Sequence, residues 1–390
     1  MEMYLTGGDE RNTIAKQADI SVLRIIATIA IVLLHTCSAM SDNYAAYSLA
    51  GTKLYILSSI ALLLRWAVPA FFMISGAVLI KRDRNITYKD AFKYCKRILL
   101  ALVLFGIMYS MMEIFMHEKT LSFQIFLQAC SNVLTGNSWS FLCFLYSIIG
   151  IYLILPLINT FVSNAKTNTV VIFSILLFVF MFIVPAINLF FGIKIDFNIP
   201  VGSYAFLYFV IGKLLYETRA DIKNRKLFFV IVLTVMSFLV LLINANGGKA
   251  YLGYDSPIIG GMAVCIFLLI KGIRFRVFDF MWKMDRLCFG VYLIHLLFIN
   301  LLYKFMKITP LDFGKEYLLG VFLFWISFTT VSYCTSYFMG MVSPLKNMFC
   351  KRKKFRVEGL NSKFRIVGCK SDKKKDDWIC NIGMEFGWSN

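Results

Sequence analysis

Residues 20–38, Ile-Ser-Val-Leu-Arg-Ile-Ile-Ala-Thr-Ile-Ala-Ile-Val-Leu-Leu-His-Thr-Cys-Ser, decide the fold. Apart from Arg24 and His35 the run is apolar or weakly polar on every side. It has no polar stripe for a water-soluble helix to turn outward. At about 1.5 Å per residue it reaches about 28 Å, close to the thickness of a bilayer's hydrocarbon core. Such a helix is stable only among lipid or other helices, where its backbone groups bond one another because no water is at hand. Nine more runs follow, at roughly 57–80, 98–115, 141–158, 169–189, 201–216, 227–243, 257–270, 287–303 and 317–341. Of the 390 residues, 59% are hydrophobic and the mean hydropathy is +0.71, against about 45–50% apolar in soluble domains. The pattern predicts an all-α polytopic integral membrane bundle of about ten transmembrane helices. It excludes disorder and a soluble enzyme. The first run is read as a retained helix, since a cleaved signal peptide has a shorter front and is not followed by nine spans.

A net charge of +19 raises the question of nucleic acid, and its placement answers it. With the N-terminus in the cytoplasm, about 31 of the 41 Lys and Arg fall in cytoplasmic segments, as the positive-inside rule requires. Most lie in the Lys81–Arg97 loop and the tail after Lys346. The charge therefore reports topology and contact with anionic lipid, with both termini cytoplasmic and no nucleic-acid partner. Three segments follow: a cytoplasmic N-terminal stretch (1–19), a transmembrane domain (20–345) and a basic cytoplasmic tail (346–390). The ten cysteines are scattered, with no CxxC pair and only three histidines beside them, so no zinc ligand set is expected.

An ionisable group inside a bilayer is costly and marks a functional candidate. The candidates are Arg24, His35, Arg65, Glu113 and His295. Eleven residues at about 100° each bring His35 back to within about 20° of Arg24, roughly 16 Å further along the same helix face. Arg24 either holds a phosphate or carboxylate in its planar fork or reaches to the cytoplasmic headgroups. His35 either accepts a proton from a hydroxyl or bonds a backbone carbonyl. Arg65 can stabilise an oxyanion or pair with Glu113. Tyr292 and His295 share a helix face, and Pro69 is expected to kink the second span beside Arg65. Pro69 and Gly76 are read as helix-shaping features. His117 falls in an external loop whose apolar stretch is read as lying along the surface.

These residues resemble a family. Ile20-Ser21-Val22-Leu23-Arg24 with His35 is similar to the Arg-x10-His motif of the acyltransferase-3 membrane O-acyltransferases. Arg65-Trp66-Ala67-Val68-Pro69-Ala70-Phe71-Phe72-Met73-Ile74-Ser75-Gly76 resembles that family's second-helix signature. Gly150-Ile151-Tyr152 with Pro156, Tyr208-Phe209-Val210-Ile211-Gly212 and Gly290-Val291-Tyr292-Leu293-Ile294-His295 follow in the family's order, over about residues 18–345. The chain departs from the pattern at Ser21, where many members have Asp. It departs again at Phe141-Leu142-Cys143, which replaces His-Leu-Trp, and at Arg97, whose usual second Arg is Leu100.

The resemblance implies a multi-pass protein of the bacterial inner membrane that takes an acyl group, acetyl first, from cytoplasmic acyl-CoA. The acceptor it implies is a hydroxyl of an envelope polysaccharide or its lipid-linked precursor. On that reading His35, Arg24, Arg65 and His295 are the catalytic candidates. Arg24, Lys93, Lys96 and Arg97 face the donor, Glu113 and Tyr292 face the acceptor, and no metal takes part. Two rival readings stand beside it: a transporter or flippase using the intramembrane charges as a relay, and a non-catalytic family member.

Overall fold

In a computed structural model the protein is a helical membrane bundle. The structure describes residues 7–81, 84–119, 122–192, 203–217, 225–271, 273, 279–341, 357–360 and 363–366, with side chains within 18–341 except those of His117 and Ser140. The first helix, α1, runs Gly7–Ser41. The second span is two helices, α2 (Gly51–Leu63) and α3 (Ala67–Leu79), separated at Leu64–Trp66. Pro69 explains the break. It has no N–H to offer the Arg65 carbonyl, which is met instead by Val68 N–H at 3.4 Å in a tighter turn. α4 (Tyr88–Glu118) starts at a capping box in which Thr87 and Asp90 each satisfy the other's backbone N–H. It extends past Glu113, so His117 lies on a helix where a loop was expected; its side chain lies outside the described residues. α5 (Phe123–Thr135) is the apolar stretch of the following connection, and Phe123, Leu127 and Leu134 on it are exposed.

α6 (Cys143–Leu153) and α7 (Leu155–Asn164) meet at 59°, with Pro156 in the first turn of α7. The carbonyl one turn before that proline again loses its partner. α8 (Thr167–Phe178) continues through a π turn into α9 (Val184–Phe191). α10 (Tyr204–Glu217), α11 (Lys226–Ala245), α12 (Pro257–Lys271), α13 (Asp279–Asn300) and α14 (Tyr317–Met339) complete the bundle. Among the described residues, eight helices are long and apolar enough to cross a membrane, or nine with the bent α6–α7 pair. The remaining expected span is α10, only 14 residues long. Beyond the bundle, the described part of the tail is an antiparallel ribbon pairing Val357–Leu360 with Lys363–Ile366.

Over its described residues α10 packs tightly against α3. Added at Gly76, a Cβ would collide with the Phe209 carbonyl, and one at Gly212 with the Met73 backbone. The two glycines let α3 and α10 touch backbone to backbone, as small residues do between membrane helices. Gly76 is thus a helix-contact residue, where the sequence suggested one that shapes its own helix. Polar clasps complete the packing. Asn244 of α11 donates to Ser58 and Ser59 of α2 at 2.9 Å each, and Asn159 of α7 clamps Lys81 and Arg84 of the loop after α3.

Candidate active site

A cavity of about 290 Å³ opens between α1, the α2–α3 break, α6, α13 and the segment before α12. From α1 it takes Ile31, Leu34, His35 and Ser38, and from the residue just after it Asp42, one stripe at three- and four-residue spacing. The stripe starts near His35 and runs away from Arg24. The far end of the cavity holds Asp42 and Lys249, which form an ion pair between the end of α1 and the segment before α12. Phe71, Phe141, Phe144, Tyr254 and Tyr292 supply aromatic walls. The Tyr292 hydroxyl donates to the Phe141 carbonyl at 2.8 Å and so locks two walls together.

His35 is half-buried on the wall of this cavity. Its ring centre lies 5.3 Å from that of His295, at a tilt of 41°, and 6.4 Å from Phe141. His295 is fully buried and does not line the cavity; its Nδ1 is 3.0 Å from the Val291 carbonyl. Behind them Tyr109 stacks on Trp139 at 4.6 Å and donates to the Leu293 carbonyl at 2.6 Å. Trp139 also packs against Phe141 at 6.1 Å, the ring that meets both histidines.

Arg65 lines the same cavity. The α2–α3 break frees it from a helical surface, and its guanidinium donates to the Leu252 carbonyl at 2.5 Å and lies over the Tyr254 ring at 5.9 Å. Its partner is thus a backbone oxygen in the segment before α12, not Glu113. Glu113 lies toward the far end of α4, outside the lining of this cavity.

Arg24 is also separate. It forms an ion pair with Asp285 of α13, and Thr28 bonds its carbonyl at 2.8 Å. Asp285 is a residue that sequence reasoning missed, because α13 begins at Asp279, two turns before the expected span at 287. Arg97 reaches the neighbouring turn of α13 and places its guanidinium 4.8 Å from the Phe289 ring. The Tyr152 phenol lies within electrostatic range of Arg24 and Arg97 and in hydrogen-bond reach of Ser75. Lys93 and Lys96 are exposed on the same stretch of α4. The basic residues expected to face a donor therefore gather at one end of the bundle, and the histidine pair sits about three turns away.

A family model described as an acyltransferase domain matches residues 17–341, which takes in every residue of this arrangement. The chain belongs to the acyltransferase-3 family. No curated protein and no solved structure matches the chain. In this membrane acyltransferase, two of the four catalytic candidates, His35 and Arg65, line one cavity together with Tyr292. His295 stands behind His35. Arg24 belongs to a second cluster with Asp285, at the end where Arg97 lies.

Proposed function

We propose that this acyltransferase moves an acetyl group from cytoplasmic acetyl-CoA to a hydroxyl of an envelope polysaccharide, or its lipid-linked precursor, in the bacterial inner membrane. One observation carries the reading: a titratable imidazole, His35, stands on the wall of an aromatic-lined cavity that runs away from the basic end of the bundle. On the positive-inside topology that cavity opens on the outer side, and Lys93, Lys96 and Arg97 lie on the cytoplasmic side. A donor carrying several phosphates is drawn to the basic end. The cavity volume of about 290 Å³ is at the small end of the range for ligand pockets. Aromatic faces suit the apolar face of a sugar ring.

In this mechanism His35 takes the proton of the acceptor hydroxyl as its oxygen attacks the thioester carbonyl. The C–S bond breaks, and the coenzyme A thiolate leaves with the proton returned from His35. The balance is one ester and one free thiol for one hydroxyl and one thioester. A covalent route uses the same side chain: the bare His35 nitrogen attacks the thioester carbonyl, and the C–S bond breaks as the thiolate leaves with the proton given up by His35. The acyl-imidazole then passes its acyl group to the hydroxyl, whose proton returns to the imidazole. In either route Arg65, anchored by the Leu252 carbonyl, directs its remaining N–H groups at the developing oxyanion. Arg24 enters as half of an ion pair with Asp285, so the attraction for the donor falls to Lys93, Lys96 and Arg97.

Mass spectrometry of envelope glycans tests the reading in cells making wild type, His35→Ala or no protein. Acetylation seen with wild type and lost with His35→Ala, at equal membrane levels, supports it. Acetylation alike in all three rejects it, leaving another acyl group or transport as the better explanation.

A further inference from the structure

His295 is the buried member of the histidine pair, and its two nitrogens are in different states. Nδ1 lies 3.0 Å from the Val291 carbonyl oxygen. A carbonyl only accepts, so Nδ1 carries the proton and Nε2 the lone pair. Among the described residues that Nε2 is fully buried with no hydrogen-bond partner, an arrangement folded proteins rarely keep without a reason. The rings nearest it narrow the choice of donor. Phe141, 6.2 Å away, has no polar side-chain atom. Tyr292, also at 6.2 Å, has its hydroxyl committed to the Phe141 carbonyl. His35 remains, its ring centre 5.3 Å away. With each nitrogen about 1.2 Å from its ring centre, facing nitrogens at that separation lie about 3 Å apart, which is hydrogen-bond distance.

We propose that His295 is a positioning residue: after a rotation of the His35 ring, its Nε2 accepts the His35 N–H and turns the other His35 nitrogen, lone pair first, toward the cavity. The inference rests on the reading of His35 as the group that meets the acceptor hydroxyl. The chain of bonds runs from the Val291 carbonyl to His295 Nδ1–H, from His295 Nε2 to the His35 N–H, and from the bare His35 nitrogen to the acceptor O–H. Each link sets the tautomer of the next, as a buried aspartate does for the histidine of a hydrolytic triad. A neutral imidazole does this without adding a charge to the membrane interior. When His35 takes the acceptor's proton, the bond it donates to His295 becomes charge-assisted and strengthens as the reaction proceeds.

The test exploits a scarcity: the chain has three histidines, and His117→Gln leaves the two of interest. Full-length protein labelled with 15N-histidine, in lipid nanodiscs, reports each imidazole nitrogen as protonated or bare. The expected result is a His295 protonated at Nδ1 and bare at Nε2, whose Nε2 resonance moves when His35→Ala removes the donor. A protonated Nε2, or a resonance indifferent to His35, overturns the proposal.

A kinetic arm follows thiol release from acetyl-CoA by the protein in proteoliposomes. His295→Leu is expected to lower kcat about 100-fold, with KM for acetyl-CoA unchanged within about twofold, the scale of a lost proton-transfer geometry. His295→Gln keeps an acceptor oxygen near the Nε2 position and is expected to recover about tenfold of that loss. Equal losses in the Leu and Gln variants, or a loss confined to KM, assign His295 to packing and overturn the proposal. The underlying reading fails differently, through a His35→Ala variant that keeps full turnover.

Discussion

Arg24 of α1 and Asp285 of α13 are joined by an ion pair, and it is the lower of two rungs between these helices. Eleven residues beyond Arg24 and ten beyond Asp285, His35 meets His295, about 15–16 Å further along the axes. The two helices therefore run side by side in the same direction, and the charged rung sets the register in which the imidazoles face each other. The Arg24 and Asp285 side chains are 27% and 12% exposed, so removing one charge strands the other in a poorly solvated place. Arg24→Leu and Asp285→Leu are each expected to cost on the order of 2 kcal/mol in SDS-driven unfolding. The double variant should cost clearly less than the sum. Additive losses would mean that the two charges do not support each other.

The α3–α10 contact makes a steric prediction. Gly76→Ala and Gly212→Ala push a methyl group into the backbone of the facing helix, which cannot rotate aside as a side chain can. Each variant is expected to lose about 2 kcal/mol or more, within the range for overpacking a tight core, and to show a sharp drop in detergent-extracted yield. Gly150→Ala is the control. A Cβ there meets nothing within 4 Å, and its stability should match wild type. Wild-type yield from Gly212→Ala would show that α10 does not sit against α3 as described.

Cys143 reports on where the cavity opens. It is an exposed free thiol on the cavity wall, whereas Cys37, Cys95, Cys265 and Cys288 are buried. In a variant keeping Cys143 as its only cysteine, a membrane-impermeant thiol reagent should label it from the face that carries Asp42 and Lys249. Labelling should also block acyl transfer, because the cavity is small enough for one adduct to fill it. Labelling solely from the opposite face would reverse the assignment of donor and acceptor sides.

Arg65 provides a test of geometry over charge. Its fork holds the Leu252 carbonyl at 2.5 Å and lies over the Tyr254 ring. Lysine keeps the charge but lacks the planar array that can bond one oxygen and still point donors elsewhere. Arg65→Lys is therefore expected to lower kcat about 10- to 100-fold while leaving the protein stably inserted. Unchanged kcat would reduce Arg65 to an anchor for the segment before α12.

The all-helical membrane class was legible in the sequence because lipid imposes a local rule, although among the described residues eight or nine helices are long enough to span where about ten were expected. Every span must be long and apolar by itself, so reading one segment at a time suffices. The break beside Arg65 was legible for a similar reason: a proline removes a bond one turn before itself, whatever surrounds it. The shared face of Arg24 and His35 followed from helix periodicity alone.

Partnership was not legible. Asp285 lay outside the expected span. The sequence offered Glu113 for Arg65, where the fold supplies the Leu252 carbonyl, a backbone atom present at every position and therefore invisible to residue type. Gly76 and Gly212 each look permissive in isolation and become obligatory only where two backbones touch.

By itself, then, the sequence determined the all-helical membrane class and which side chains share a face of one helix. Each of those follows from the length, apolar character and periodicity of one segment. The tertiary structure alone decided that His35 meets His295, that Arg24 meets Asp285, and that Glu113 stays outside the cavity. Which helix lies beside which is set by the packing of surfaces far apart in the chain, and no local period encodes it.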